Sequence, residues 1–264
     1  MSRHGHRSQE TERLDTTVEF EIPRTRTGPI GGARAESARS GRSPRGGQPS
    51  RARSWWPPLA DELFQIMHDD GNAPGRLRIA ERTAALGLAG ALLAELACTK
   101  RIRLYGDTVT VVDLSVPSDV AAHMILSEIA GEAEEHPVST WVHYLADTAY
   151  GRVARRMVHR GRVREQVRRR WLRRTTTFVP VSLNEAAWPA ARLMTDYAKG
   201  RLHTLDCVLT GLVCAVGLQH HVFFDLTEHD IAAVPNVLEA APSPLPALVR
   251  LVHATVGQAV MTAR

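Results

Sequence analysis

The stretch Thr83–Cys98, TAALGLAGALLAELAC, is apolar around nearly its whole circumference. On a helix, Leu86, Leu93 and Leu96 with Ala89 form one broad face, while Gly87, Ala91, Ala94 and Cys98 recur as a stripe of small residues. A helix greasy on all sides belongs inside a domain, where neighbours cover every face. Gly87 and Gly90 each cost up to ~1 kcal/mol of helix propensity, which only close packing offsets. The segment falls short of the ~20 residues a bilayer crossing needs, and Glu95 sits inside it. It is therefore expected to be a central helix, with Glu95 a hydrogen-bonded structural anchor whose partner is Lys100 or Arg101.

A chain of 264 residues with 44% hydrophobic content can bury one good core and still carry a tail. Its formal net charge of +5 points toward acidic partners, nucleic acid or anionic lipid. Cys98, Cys207 and Cys214 are odd in number and form no C-x-x-C, which argues against a disulfide framework and a cysteine zinc site and for a reducing, cytoplasmic compartment. The N-terminus has no continuous apolar run and carries Glu10, Glu12 and Asp15, unlike a signal peptide.

Residues 1–54 are rich in Arg, Gly, Ser and Pro and hold little that could be buried, so they are expected to form a disordered arm. Within the arm only Thr17–Ile22 alternates weakly, as a strand would. The folded domain is placed at 57–264. Leu59, Leu63, Ile66 and Met67 predict a helix broken by Gly71 and Pro74. Ile102, Leu104, Val109 and Val111 about Gly106-Asp107 predict a β-hairpin. Ser118 is the expected N-cap of a helix bearing Val120, Met124, Ile125 and Ile129. Trp141 through Met157 describe one or two helices stopped by Gly161. Pro189 is expected in the first turn of a helix ending at Gly200, and Leu205–Val216 in a second apolar helix beside the central one. Helices around Ile231–Ala240 and Leu245–Ala263 close the domain.

The most unusual chemistry lies between Gly151 and Val181. Arg152, Arg155, Arg156 and Arg160 fall on the helix, and Arg162, Arg164, Arg168, Arg169, Arg170, Arg173 and Arg174 follow, against the single acid Glu165. Val163, Val167 and Trp171 share one strand parity; Arg162, Arg164, Arg168 and Arg170 share the other. With TTTFVPV as the return strand, this is a basic hairpin whose tip is Trp171 and Leu172. The expected lipid-binding residues are Arg152, Arg155, Arg156, Arg164, Arg168, Arg169, Arg170, Arg173 and Arg174, with Trp171 and Leu172 inserting into the membrane. At about 1 kcal/mol per basic residue beside an anionic leaflet, five such arginines supply between three and four decades of partitioning without any pocket.

Two other chemistries fit parts of the chain. A helix followed by an arginine-rich hairpin has the outline of a nucleic-acid-binding winged helix, although Gln166 is the lone obvious base-reading side chain. His220, His221, Asp225, Glu228, His229 and Asp230 crowd together, and Asp225 and His229 have a metal-ligand spacing. H-E-x-x-H, G-x-S-x-G and P-loop patterns are missing, so no enzyme, cofactor or metal is expected.

The ordered set of LGLAGALLAELACTKRIRL, a helix ending in RMVHRGRV, a basic hairpin and LTGLVCAVGLQHHVFF resembles the GPP34 family, which includes Golgi phosphoprotein 3. Its best signature is G-L-x-G-x-L-L-x-E-L-A at Gly87–Ala97, and the likeness runs from about Leu59 to the C-terminus. The resemblance implies a compact, mainly α-helical domain around a buried central helix with one or two β-hairpins. It also implies peripheral membrane binding through phosphatidylinositol 4-phosphate, with the arm engaging a protein partner. Eukaryotic members carry a tryptophan ahead of the central helix, an arginine in its glycine motif and two arginines on the helix before the hairpin. This chain has Ala80, Ala89, Asp147 and Tyr150 there, with Arg152, Arg155 and Arg156 near enough to rebuild an anion site. The expectation is a cytoplasmic adaptor on the inner face of the membrane, binding an anionic headgroup without turnover and able to self-associate through the hairpin.

Overall fold

Burial of Thr83–Cys98 is what the rest of the chain accomplishes. Helix α2, Glu81–Cys98, is buried continuously from Thr83 to Ala94. Helices α1 (Leu59–Ile66), α4 (Val138–His159) and α9 (Leu245–Thr262) pack along it. The small residues set these distances. A Cβ on Gly90 would lie 2.4 Å from Val252 Cγ2 of α9, and one on Gly87 would lie 2.5 Å from Val216 Cγ1, so both neighbours approach where no side chain stands.

The computed structural model describes residues 58–115, 117, 119–170 and 173–262. The arm 1–54, its run Thr17–Ile22, and Ser118, Trp171 and Leu172 lie outside them. After α2 comes a hairpin of β1 (Ile102–Tyr105) and β2 (Thr108–Val111), then helix α3 (Val120–Gly131). Gly106 takes φ +57° at the β1–β2 turn, a conformation that costs glycine no Cβ clash. Helix α4 leads into a second antiparallel hairpin, β3 (Val163–Arg170) with β4 (Arg173–Pro180). Helices α5 (Leu183–Ala198), α6 (Thr204–Ala215), α7 (Gln219–Val222) and α8 (Glu228–Ala233) follow, with a 3₁₀ segment Val234–Ala240 before α9. The described residues are mainly α-helical with two small hairpins, as expected.

Three local expectations are corrected. The N-cap of α3 is Asp119, whose carboxylate accepts from Ala122 N at 3.0 Å; a carboxylate serves a helix N-terminus at least as well as a hydroxyl. On α3 only Ile125 and Ile129 of the expected apolar face are buried, while Val120 and Met124 are exposed. Helix α5 begins six residues before Pro189, with Ser182 as its N-cap, so the proline sits inside the helix. Helix α6 does contact α2, as expected, but packs more extensively on α9 and the 3₁₀ segment. Trp141 to Met157 lie on one continuous helix.

Candidate functional site

The arginines between Gly151 and Val181 fall into two groups. On α4, Arg152, Arg156 and Arg160 recur every four residues and therefore share a stripe. That stripe faces carboxylates. Arg152, 7% exposed, makes a bidentate pair with Glu128 at 3.0 and 2.5 Å. Arg156, also 7% exposed, donates to Asp61 at 2.6 Å, to Glu95 at 2.9 and 3.1 Å and to Asp119 at 3.0 Å. Arg160 donates to the other oxygen of Asp61 at 2.6 Å. Both guanidiniums are buried and already hold carboxylates, so Arg152 and Arg156 are corrected from lipid ligands to internal ion-pair partners.

The same geometry corrects the partner of Glu95. Arg156 reaches it from α4, and Ala60 N donates to it at 2.7 Å; Lys100 and Arg101 do not hold it, and Arg101 instead donates to Asp113 at 2.6 Å. Burial pushes the carboxyls of Asp61 and Glu95 above their ordinary range, while the surrounding acids raise Arg156 further above its own. Sequence reading missed this group because it took the arginines as one run. The available signal was the four-residue spacing of 152, 156 and 160 alongside an acid in the central helix that needed a partner.

A second buried cluster lies beside the first. Arg192 of α5 makes two 2.8 Å bonds to Glu62 and also pairs with Asp206 of α6. Burial, with smaller contributions from Asp206 and Asp61, outweighs Arg192 and pushes Glu62 from 4.5 up to about 7. The folded protein thus keeps this proton longer than the unfolded chain, and its contribution to stability is lost as pH rises from 4.5 to about 7. Glu62→Gln, which leaves Arg192 a neutral acceptor, is expected to gain stability relative to the parent across that window and to hold the gain above it. Urea unfolding of both proteins at pH 5 and pH 8 checks this. His68 is pushed down to about 4 by burial and titrates in the opposite sense, but equally in both proteins.

The second group of arginines lies on the hairpin. Its base is rooted: Val163 is 4% exposed, and the Phe178 ring meets Phe64 at 6.4 Å and Tyr150 at 6.0 Å, both edge-on. Exposure rises outward, reaching 39% at Val167. The register sets Arg168 opposite Thr175, Arg169 opposite Arg174 and Arg170 opposite Arg173, leaving the undescribed Trp171 and Leu172 between the paired ends. Arg155 and Arg164 are exposed. Gly161, φ +67°, turns the chain from α4 into β3.

Positions 80, 89, 147 and 150, where this chain departs from the pattern that the resemblance implies, carry no cation of their own. Ala80 is the N-cap of α2, and Ala89 is fully buried. Asp147 accepts from Arg82 at 2.9 Å. Tyr150 donates its hydroxyl to His68 Nε2 at 2.9 Å, since His68 Nδ1 donates to the Phe64 carbonyl at 2.6 Å.

The family model described as Golgi phosphoprotein 3 (GPP34) matches residues 59–256, three quarters of the chain. The protein belongs to the GPP34 family. The match begins at the first residue of α1 and ends within α9, so it takes in both ion-pair clusters and both hairpins of this GPP34 domain. No protein of curated function matches the chain significantly. Among the described residues no helix is long and apolar enough to cross a membrane. Also among them, no three His, Cys, Asp or Glu side chains are grouped to hold a metal ion, His220 through Asp230 included.

Proposed function

We propose that this GPP34 chain is a peripheral adaptor that binds anionic phospholipid without catalytic turnover, its headgroup by family resemblance phosphatidylinositol 4-phosphate. The contact is the β3–β4 hairpin with the exposed arginines at its base, working on the inner face of a membrane. The arm 1–54 serves a protein partner, and the hairpin offers an edge for self-association. The observation that carries this reading is the run of seven arginines against one acid between residues 162 and 174, gathered on a rooted two-stranded element.

The absence of cations at Ala80, Ala89, Asp147 and Tyr150 supports recognition by charge density more than by a fitted headgroup pocket. Flotation with vesicles of phosphatidylcholine alone, or with added phosphatidylserine or phosphatidylinositol 4-phosphate, tests it. The chain is expected to float with both acidic compositions and to lose binding as salt rises. Indifference to acidic vesicles overturns the proposal. A log-log salt dependence steeper on duplex DNA than on vesicles favours the nucleic-acid reading instead.

A further inference from the structure

We infer that the outer face joining the base of the β3–β4 hairpin to helix α5, centred on Trp188, is a second membrane-contact surface that seats in the interfacial layer of an anionic bilayer. The inference rests on the lipid-binding proposal and adds residues that the arginine pattern does not include. Trp188 is 62% exposed, although it stands in the middle of a helix that buries Ala186, Pro189, Leu193 and Tyr197 on its other side. Val181 and Leu183, at the entry to that helix, are 56% and 47% exposed.

Hydrogen bonds tie these side chains to the basic ribbon. Val181 N donates to Arg162 O at 2.9 Å, which continues the hairpin ladder one pair beyond β3 and β4. Arg162 then reaches Glu185 at 2.5 Å, and Glu185 lies one helical turn before Trp188 on α5. The acid nearest the tryptophan is therefore neutralised by the hairpin's own first arginine. Arg164, exposed two residues along β3, shares strand parity with Arg162.

An indole, two aliphatic side chains and flanking guanidiniums match the chemistry of a lipid interface, where aromatic rings sit at headgroup depth and cations meet phosphates. Charge complementarity selects that occupant: the surface continues into a strongly cationic element, and Glu185 within it is already paired with Arg162. The three native thiols make the test practicable. None is exposed, and burial pushes each up to about 12, so a new surface cysteine labels selectively.

The full chain carrying Asn184→Cys, exposed and one turn before Trp188, with an environment-sensitive fluorophore is mixed with phosphatidylserine–phosphatidylcholine vesicles, and Trp188→Ala and Trp188→Phe are compared by flotation. Expected are a blue shift, quenching by brominated lipid, about tenfold weaker partitioning for Trp188→Ala from the lost apolar burial, and recovery in Trp188→Phe. If the labelled chain floats but shows neither shift nor quenching, and Trp188→Ala floats like the parent, this surface is excluded while the arginine reading stands. If no chain floats, both fail. A blue shift that needs no vesicles and grows with protein concentration assigns the face to a second copy and overturns the inference.

Discussion

Replacing Arg156 with methionine is expected to lower the free energy of unfolding by about 3–5 kcal/mol, because it leaves the buried Glu95 without its cation and Asp61 with Arg160 alone. Asp61, Glu95 and Asp119 all converge on this one guanidinium, and the side chains of Asp61 and Glu95 are only 7% and 13% exposed. The ion pairs themselves add little net stability, since the cost of taking the charges out of water cancels most of their attraction. What the substitution exposes is that cost. Arg155→Met, one residue away and exposed, is expected to fall within about 0.5 kcal/mol of the parent. Urea denaturation of the three proteins separates the cases. Equal stability of Arg156→Met and parent, with weaker vesicle binding, would return Arg156 to the membrane surface.

Reversing two hairpin charges, Arg168→Glu with Arg170→Glu, is expected to weaken partitioning onto phosphatidylserine vesicles by about three decades at low salt. Each reversal changes the charge by two, and at about 1 kcal/mol per unit near an acidic leaflet the pair amounts to ~4 kcal/mol. The loss shrinks at physiological ionic strength, where charges are screened beyond about 8 Å. Fold integrity is not what the double variant tests. The register sets position 170 opposite Arg173, and opposite charges at facing positions of an antiparallel pair contribute about 0.2–1 kcal/mol. Binding is thus expected to collapse while the thermal midpoint holds or rises. Undiminished flotation moves the lipid contact away from the hairpin.

The fold was legible where one residue type could do only one thing. An all-apolar helix with an internal stripe of small residues has to be central, and Gly106 and Gly161 mark turns at positive φ. Alternating valines and arginines gave the basic hairpin although its turn lacks both Gly and Pro. The α5 start was misread because proline is usually confined to a first turn, whereas this helix, capped by Ser182, begins six residues before Pro189 and carries it inside. The α4 arginines were misread for a different reason. Sequence shows how many cations a helix carries but not which carboxylates, from residues 61, 95, 119 and 128, the tertiary fold will bring against them. Trp188 went unremarked because a lone tryptophan in a helical run reads as core; only its exposure marks it out.

The two inner clusters also alter how the molecule looks from outside. Asp61, Glu62, Glu95 and Asp206 are folded inward, as are Arg152, Arg156 and Arg192, each of these seven side chains 14% exposed or less, while Arg160 reaches Asp61 from the rim. Four negatives against three positives withhold a formal −1 from view, so the +5 of the whole chain corresponds to +6 on everything else. By tucking its acids away, the domain presents an approaching anion with a more electropositive exterior than its amino-acid formula states.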